Sequence, residues 1–301
     1  MLVDTHLHLI DKIRLAYPWL AGEPALDRDF LYGEYARDAH RAGITDALHM
    51  EVDVAPEQIS DEVAFVRELS QKPASLIRGA ISACRPEEQG FAAMLEQALT
   101  DPLVKGFRRI LHTVDDDISQ RPLFRENLRR LSDTRLTFDI CMFPRQQPLA
   151  IALVDHAPGV TFILDHCGVP DIKSGDFEGW KRGISEIAAR PNVIAKISGV
   201  VAYADNSTWT AATLRPYVEH VVDCFGWDRV VWGSDWPVCT LGGGLLAWVA
   251  ATHAVLSGCG NGERDRLFWR NADLIWQLGL DAGRQDGHAG WGSQQTAREP
   301  I

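Results

Sequence analysis

Eight short apolar runs, rich in Val, Ile, Leu and Phe, recur along the chain: LVDTHLHLI (2–10), ITDALHMEV (44–52), LIRGAISAC (76–84), VKGFRRILH (104–112), LTFDICMFP (136–144), TFILDHCGV (161–169), VIAKISGV (193–200) and VVWGSDWPV (230–238). Their starts lie 25 to 42 residues apart, room for one strand, one helix and two loops. Near-continuous apolar runs at that spacing predict parallel strands buried on both faces by helices. The intervening segments change period: Val63, Val66 and Leu69 share one helical face, as do Phe124, Leu128 and Leu131. Arg190-Pro191 and Gly226 supply helix stops, and a last helix is expected over 264–280. The pattern predicts an α/β fold, a single-domain (β/α)8 TIM barrel over residues 1–281. A doubly wound open sheet is the alternative. It would carry a glycine-rich phosphate loop after an early strand, and GxGxxG is absent from the chain.

Two stretches break the pattern. Residues 11–36 form a long connection containing YPWL, expected at the catalytic mouth of a barrel. Residues 282–301 are Gly- and Gln-rich and predict a polar, poorly ordered C-terminal tail unless another subunit covers it.

Composition narrows the function classes. With 30 Lys and Arg against 41 Asp and Glu, the net charge is −11, which disfavours nucleic acid and anionic membranes as partners. A small-molecule substrate is the expected partner; self-association into a homo-oligomer is left open. The six cysteines are scattered without a Cys-x-x-Cys pair, which predicts free thiols in a reducing compartment. There is neither a basic and apolar leader nor an 18-residue apolar run, so a cytoplasmic location is expected.

The candidate chemistry lies where ionisable residues interrupt the apolar runs. On a barrel, groups at the C-terminal ends of several strands share one mouth. His6 and His8 stand two apart on strand 1, so their side chains leave from one face about 6–7 Å apart and can converge on a single cation; both could equally be ordinary strand histidines. Glu51 ends strand 2 as a metal ligand, an arginine partner or a surface carboxylate. On strand 4, alternation puts Arg108 with His112 on one face and Arg109 on the other, without saying which faces the lumen. Arg145 and Gln146 follow strand 5. His166 lies on strand 6, where a satisfied core histidine is the plain alternative. Asp235 ends strand 8 as a turn residue or, between Trp232 and Trp236, as a partly desolvated base.

Taken together, DTHLHL, YPWL, KGFRRILH, FPRQ, LDHCGVP, AKISGV, GSDWPVC and the final RNADLIWQL helix resemble the amidohydrolase superfamily, across residues 2–280. More specifically the chain is similar to its amidohydrolase-2 branch of sugar-lactone (L-fuconolactonase-like) and 2-pyrone-4,6-dicarboxylate lactonase-like hydrolases. The resemblance implies an enzyme that opens the lactone ring of a sugar acid, an aldonolactone such as fucono-, galactono- or rhamnono-lactone. His6, His8 and Asp235 would hold a metal, Asp235 would also activate water, and His166 would assist. Strand 5 lacks the histidine of some relatives, so one divalent metal, Zn²⁺, is the expected cofactor, with Glu51 as an additional ligand; metal-independent catalysis remains open. Arg108, Arg109, His112 and Arg145 would orient the substrate, and Trp19, Trp236 and Tyr17 would give it flat walls. Other readings are an aromatic-catabolism lactone, a decarboxylase or amide hydrolase on the same barrel, and a binding barrel without chemistry.

Overall fold

The computed structural model describes residues 1–280; the tail predicted over 282–301 lies outside them. All eight apolar runs form strands: β1 (Val3–Leu7), β2 (Asp46–Met50), β3 (Ile77–Ala83), β4 (Val104–Ile110), β5 (Thr137–Cys141), β6 (Phe162–Leu164), β7 (Val193–Ile197) and β8 (Val230–Trp232). They pair in parallel in chain order. The ring closes between its ends. His8 N donates to Trp236 O at 2.7 Å, Asp235 N to His6 O at 2.9 Å, and Thr5 Oγ1 to Trp232 O at 2.7 Å. The architecture is the (β/α)8 barrel, not the open sheet.

Helices α1 (Tyr32–Ala42), α2 (Ile59–Ser70), α3 (Phe91–Thr100), α4 (Pro122–Arg129), α5 (Gln147–His156), α6 (Phe177–Ala188), the short α7 (Val200–Tyr203), α8 (Ala211–Phe225) and α9 (Leu245–Val255) connect the strands and cover them. The expected last helix exists in three pieces: α10 (Asn261–Asp265), a π turn (Arg266–Arg270) and α11 (Asn271–Trp276). α8 stops at Gly226, whose φ of 71° suits glycine.

Packing divides in two. The larger apolar cluster lies between strands and helices. A smaller one joins Val3, Leu48, Met50, Ile81, Ile163, Ile194 and Val231 to Trp269, Ala272 and Trp276. It fills the barrel and closes its lower end, where the Trp276 indole donates to Thr137 Oγ1 at 3.1 Å. The barrel is thus a plugged core with one open mouth.

The ladders are shorter than the apolar runs. Strand 6 ends at Leu164, and the chain then turns through His166, Cys167 and Val169 at φ of 52–54°. Burial continues past the last ladder bond, through Asp165, His166, Cys167 and Val169, so hydrophobicity overstates the strand. No described helix is long and apolar enough to cross a membrane, and the six cysteines are free.

Candidate active site

Four of the residues singled out in the sequence converge at the mouth. His8 Nε2, His6 Nε2 and His166 Nε2 lie 3.5, 3.8 and 4.0 Å from one atom, Asp235 Oδ1. Four ligands around Zn²⁺ at about 2.1 Å stand roughly 3.4 Å apart, so these separations are close to those of a metal's ligands. Among the described residues, two groups have such spacing: His6–His8–Asp235 and His6–Asp165–His166.

The supporting contacts suit ligands. His8 Nδ1 faces the Met50 carbonyl at 3.0 Å, which only accepts, so Nδ1 carries the hydrogen and Nε2 the lone pair. Asp165 Oδ1 lies 3.4 Å from His6 Nδ1 and can play the same part there. His166 Nδ1 meets Ser198 Oγ at 2.9 Å, a hydroxyl that serves either tautomer. Burial lowers all three imidazoles, His8 to about 4 and His6 well below its ordinary value, so they are neutral near pH 7. Burial also raises the Asp235 carboxyl to about 6. Asp235 Oδ2 is buried with no hydrogen-bond partner among the described residues. An orphaned carboxylate oxygen beside the neutral imidazoles of His6 and His8 is a donor set that fits one divalent cation.

Local backbone explains how this sequence brings them together. Asp235 and His166 both sit at left-handed φ, 57° and 54°, which turns each side chain inward after its strand ends; such conformations concentrate at functional sites. A Cβ on Gly233 would stand 2.7 Å from His6 Cβ, so glycine lets β1 and β8 close. At Gly199, φ is +68° and a Cβ would meet His166 Nδ1 at 2.6 Å. Gly199→Ala is expected to push the His166 ring off Ser198. Turnover should fall about 10²-fold, the scale of a misplacement near 1 Å, with a stability loss of about 1–2 kcal/mol. Steady-state kinetics and thermal melting read the two effects separately; unchanged turnover would show that the ring's position is immaterial.

Beneath the histidines lies a layer of buried charge. Arg108 Nε donates to Glu51 Oε1 at 2.5 Å and Nη2 to the Glu51 carbonyl at 2.7 Å. Its Nη1 lies 3.4 Å from Asp165 Oδ2 and 3.3 Å from His6 Nε2. Lys196 Nζ donates to Asp139 Oδ2 at 2.6 Å and lies 3.0 Å from Asp165 Oδ1. Burial pushes the ammonium down, but the two carboxylates more than restore it, and Lys196 stays protonated.

The structure relocates several expected residues. Arg108 faces the lumen, so alternation sends Arg109 outward, where Nη2 pairs with Glu87 at 2.8 Å; it does not reach the mouth. Glu51 belongs to neither ligand group: Oε1 accepts from Arg108 and Oε2 from Asp53 N at 2.8 Å. Arg145 points to solvent, 60% exposed and 2.5 Å from Asp116. Gln146 is buried and bonds the Leu111 carbonyl and Asp116. Trp236 is packed against Phe30 and Tyr35 behind the barrel wall, and Tyr17 is buried with its hydroxyl on Asp11 N and Leu9 O. Trp19 and His112 do line the mouth, Trp19 fixed by its indole donating to Val52 O at 2.8 Å.

The sequence reading missed Asp139, Asp165, Lys196, Ser198 and Tyr203. A signal existed for the first three, each a charge inside an apolar strand run, since an unpaired charge is almost never fully buried.

Above the histidines opens a cavity of about 750 Å³, lined by His8, Arg108, His112, His166, Asp235 and Tyr203 and, from the 11–36 connection, Trp19, Glu23 and Leu26. Its other charged groups are acidic, Glu23 and Asp53. The Cys141 thiol on its wall is raised by burial, which makes it a poor nucleophile.

Comparison with known proteins agrees with this geometry. The chain is 34% identical to an L-fucono-1,5-lactonase of Burkholderia ambifaria over 62% of its own length and 65% of that relative's. It is 30% identical to an L-fucono-1,5-lactonase of Burkholderia multivorans over 79% of its length and 83% of that protein's. Among solved structures, an amidohydrolase from Burkholderia multivorans with bound zinc superimposes with a TM-score of 0.82 at 25% identity, covering 92% of this chain and 99% of that one. The profile of the amidohydrolase family Amidohydro_2 matches residues 3–278, and the chain belongs to that family.

Proposed function

We propose that the protein hydrolyses a neutral sugar lactone, with Asp235 as the base that activates water. The observation carrying this reading is the convergence of three neutral imidazole Nε2 atoms on Asp235 Oδ1, with Oδ2 unpartnered at the cavity floor. A carboxyl raised to about 6 by burial is ionised at neutral pH yet basic enough to take a proton.

In this reading Asp235 removes a proton from water as its oxygen attacks the lactone carbonyl carbon. His166, with its Nδ1 accepting from the Ser198 hydroxyl, presents Nε2–H to the developing oxyanion, a contact of about 3–4 kcal/mol for a single such donor. The ring C–O bond then breaks, and the Asp235 carboxylic acid returns its proton to the leaving alkoxide. The product is an open-chain hydroxy acid. His6, His8 and Asp235 would hold one divalent cation, Zn²⁺, which when bound supplies Lewis acidity toward the carbonyl and the water.

The charge of the cavity favours a neutral polyol over a dicarboxylate. Arg108, the one Arg or Lys on the described lining, is already engaged by Glu51 and Asp165, while Glu23 and Asp53 add negative charge. The relatives named L-fucono-1,5-lactonase and L-rhamnono-gamma-lactonase support the same class.

In a pH-stat assay, L-fucono-, L-galactono- and L-rhamnono-lactones are expected to exceed 2-pyrone-4,6-dicarboxylate in kcat/KM by at least about 10²-fold, the cost of several kcal/mol for placing like charges together. Faster opening of the dicarboxylate would overturn the substrate class. For the metal, elemental analysis after purification without added ions is expected to find zinc, and stripping with chelator should abolish turnover. Full activity in metal-free protein would leave His6 and His8 as hydrogen-bonding groups alone.

A further inference from the structure

The two groups with metal-ligand spacing share His6 but differ in what occupies them. At His6–His8–Asp235, the cationic nitrogen beside His6 Nε2 is Arg108 Nη1, at 3.3 Å. Beside His6 and Asp165, Lys196 Nζ is already in place. It lies 2.6 Å from Asp139 Oδ2, 3.0 Å from Asp165 Oδ1 and 3.2 Å from His6 Nδ1. Two carboxylates facing one positive centre make a cation site, and here the cation is an ammonium.

Charge and burial point the same way. Lys196, Asp139, Asp165 and His6 are all fully buried, and a fully buried lysine in an apolar strand persists only when its charge is matched. The carboxylates of Glu51, Asp139, Asp165 and Asp235 lie about the histidines and their charged underlayer, with Lys196 and Arg108 as the cations paired to them. Asp139 Oδ1 is also buried without a hydrogen-bond partner among the described residues, so that carboxylate has coordination capacity its lysine does not use.

We propose that the Lys196 ammonium is the resident cation of a second, latent metal position, and that it limits this centre to a single divalent ion. The inference rests on the reading of His6, His8 and Asp235 as the first position. Removing the ammonium leaves Asp139 without its cation and Asp165 with Arg108 alone, and vacates the position that Nζ holds between them.

The test is zinc per chain, by elemental analysis after dialysis against excess zinc chloride and gel filtration, on wild type and Lys196→Ala. The variant is expected to retain one equivalent more than wild type, about two against about one. Surface sites are common to both proteins and cancel in the difference. Equal stoichiometry, or two equivalents in wild type, overturns the proposal. One equivalent in Lys196→Ala with none in wild type would uphold it while refuting the first position, so the two failures are distinguishable. If Lys196→Ala does not fold alone, it is expressed and purified with zinc chloride present throughout. A folded variant holding one equivalent more than wild type supports the proposal, and failure of zinc to rescue folding, or the wild-type value, overturns it.

Discussion

Asp235→Asn is expected to lower kcat for lactone opening by about 10²–10⁴-fold, the range for loss of a positioned general base, with little change in fold. The amide keeps the size of the carboxyl but cannot accept a proton from water at neutral pH. It also removes a buried negative charge. Because burial raises this carboxyl to about 6 in the folded chain, against an ordinary value of about 3.9 when unfolded, the sign of the stability effect is fixed by linkage. The folded state prefers the protonated form, so stability is present at low pH and is lost as pH rises toward and past 6. At pH 7 the ionised group costs the metal-free fold about 3 kcal/mol. Metal-free Asp235→Asn should therefore melt no lower than metal-free wild type at pH 7, while turning over far more slowly. A melting temperature several degrees below wild type would mean that Asp235 supports the fold, and the loss of activity would lose its meaning.

Arg108→Met is expected to cost about 3–5 kcal/mol of stability, because it leaves the buried Glu51 without its counter-charge and Asp165 with Lys196 alone. Burial alone would push the guanidinium down, but the Glu51 and Asp165 carboxylates raise it on balance; it is charged at every accessible pH. Arg109→Met, one residue on, leaves the largely buried Glu87 without its guanidinium on the outer side of the strand and should cost less, about 1–3 kcal/mol, because a single carboxylate loses its partner. Denaturant unfolding of both variants measures the contrast. Similar losses at the two positions would contradict the assignment of Arg108 to the lumen.

Much of this fold was legible because parallel barrel strands are buried on both faces and read as unbroken apolar runs. His6, His8, His166 and Asp235 stood out for the converse reason, as polar groups where burial was expected. The rest was hidden by specific physics. Alternation along β4 separates Arg108 from Arg109 but does not say which points inward; that follows from Glu51 and Asp165 awaiting the guanidinium. Trp236 and Arg145 looked like mouth residues by position. The turns that follow β8 and β5 instead aim the indole at Phe30 and Tyr35 and the guanidinium at Asp116. Lys196 and Asp139 escaped notice because their partners are far away in sequence, 57 residues apart, and only ring closure brings them together.

The role of Asp235 as the base is tested most directly by the pH dependence of kcat/KM for L-fucono-1,5-lactone, measured between pH 4 and 8 on wild type and Asp235→Asn. A base works only when deprotonated. Wild-type activity should hold near neutrality and fall about tenfold per pH unit below a midpoint no higher than about 6, since a bound cation lowers a carboxyl's pKa. In Asp235→Asn the residual activity should lack that limb. An acid limb that persists in the variant, or wild-type activity that rises as the pH falls, would contradict the assignment.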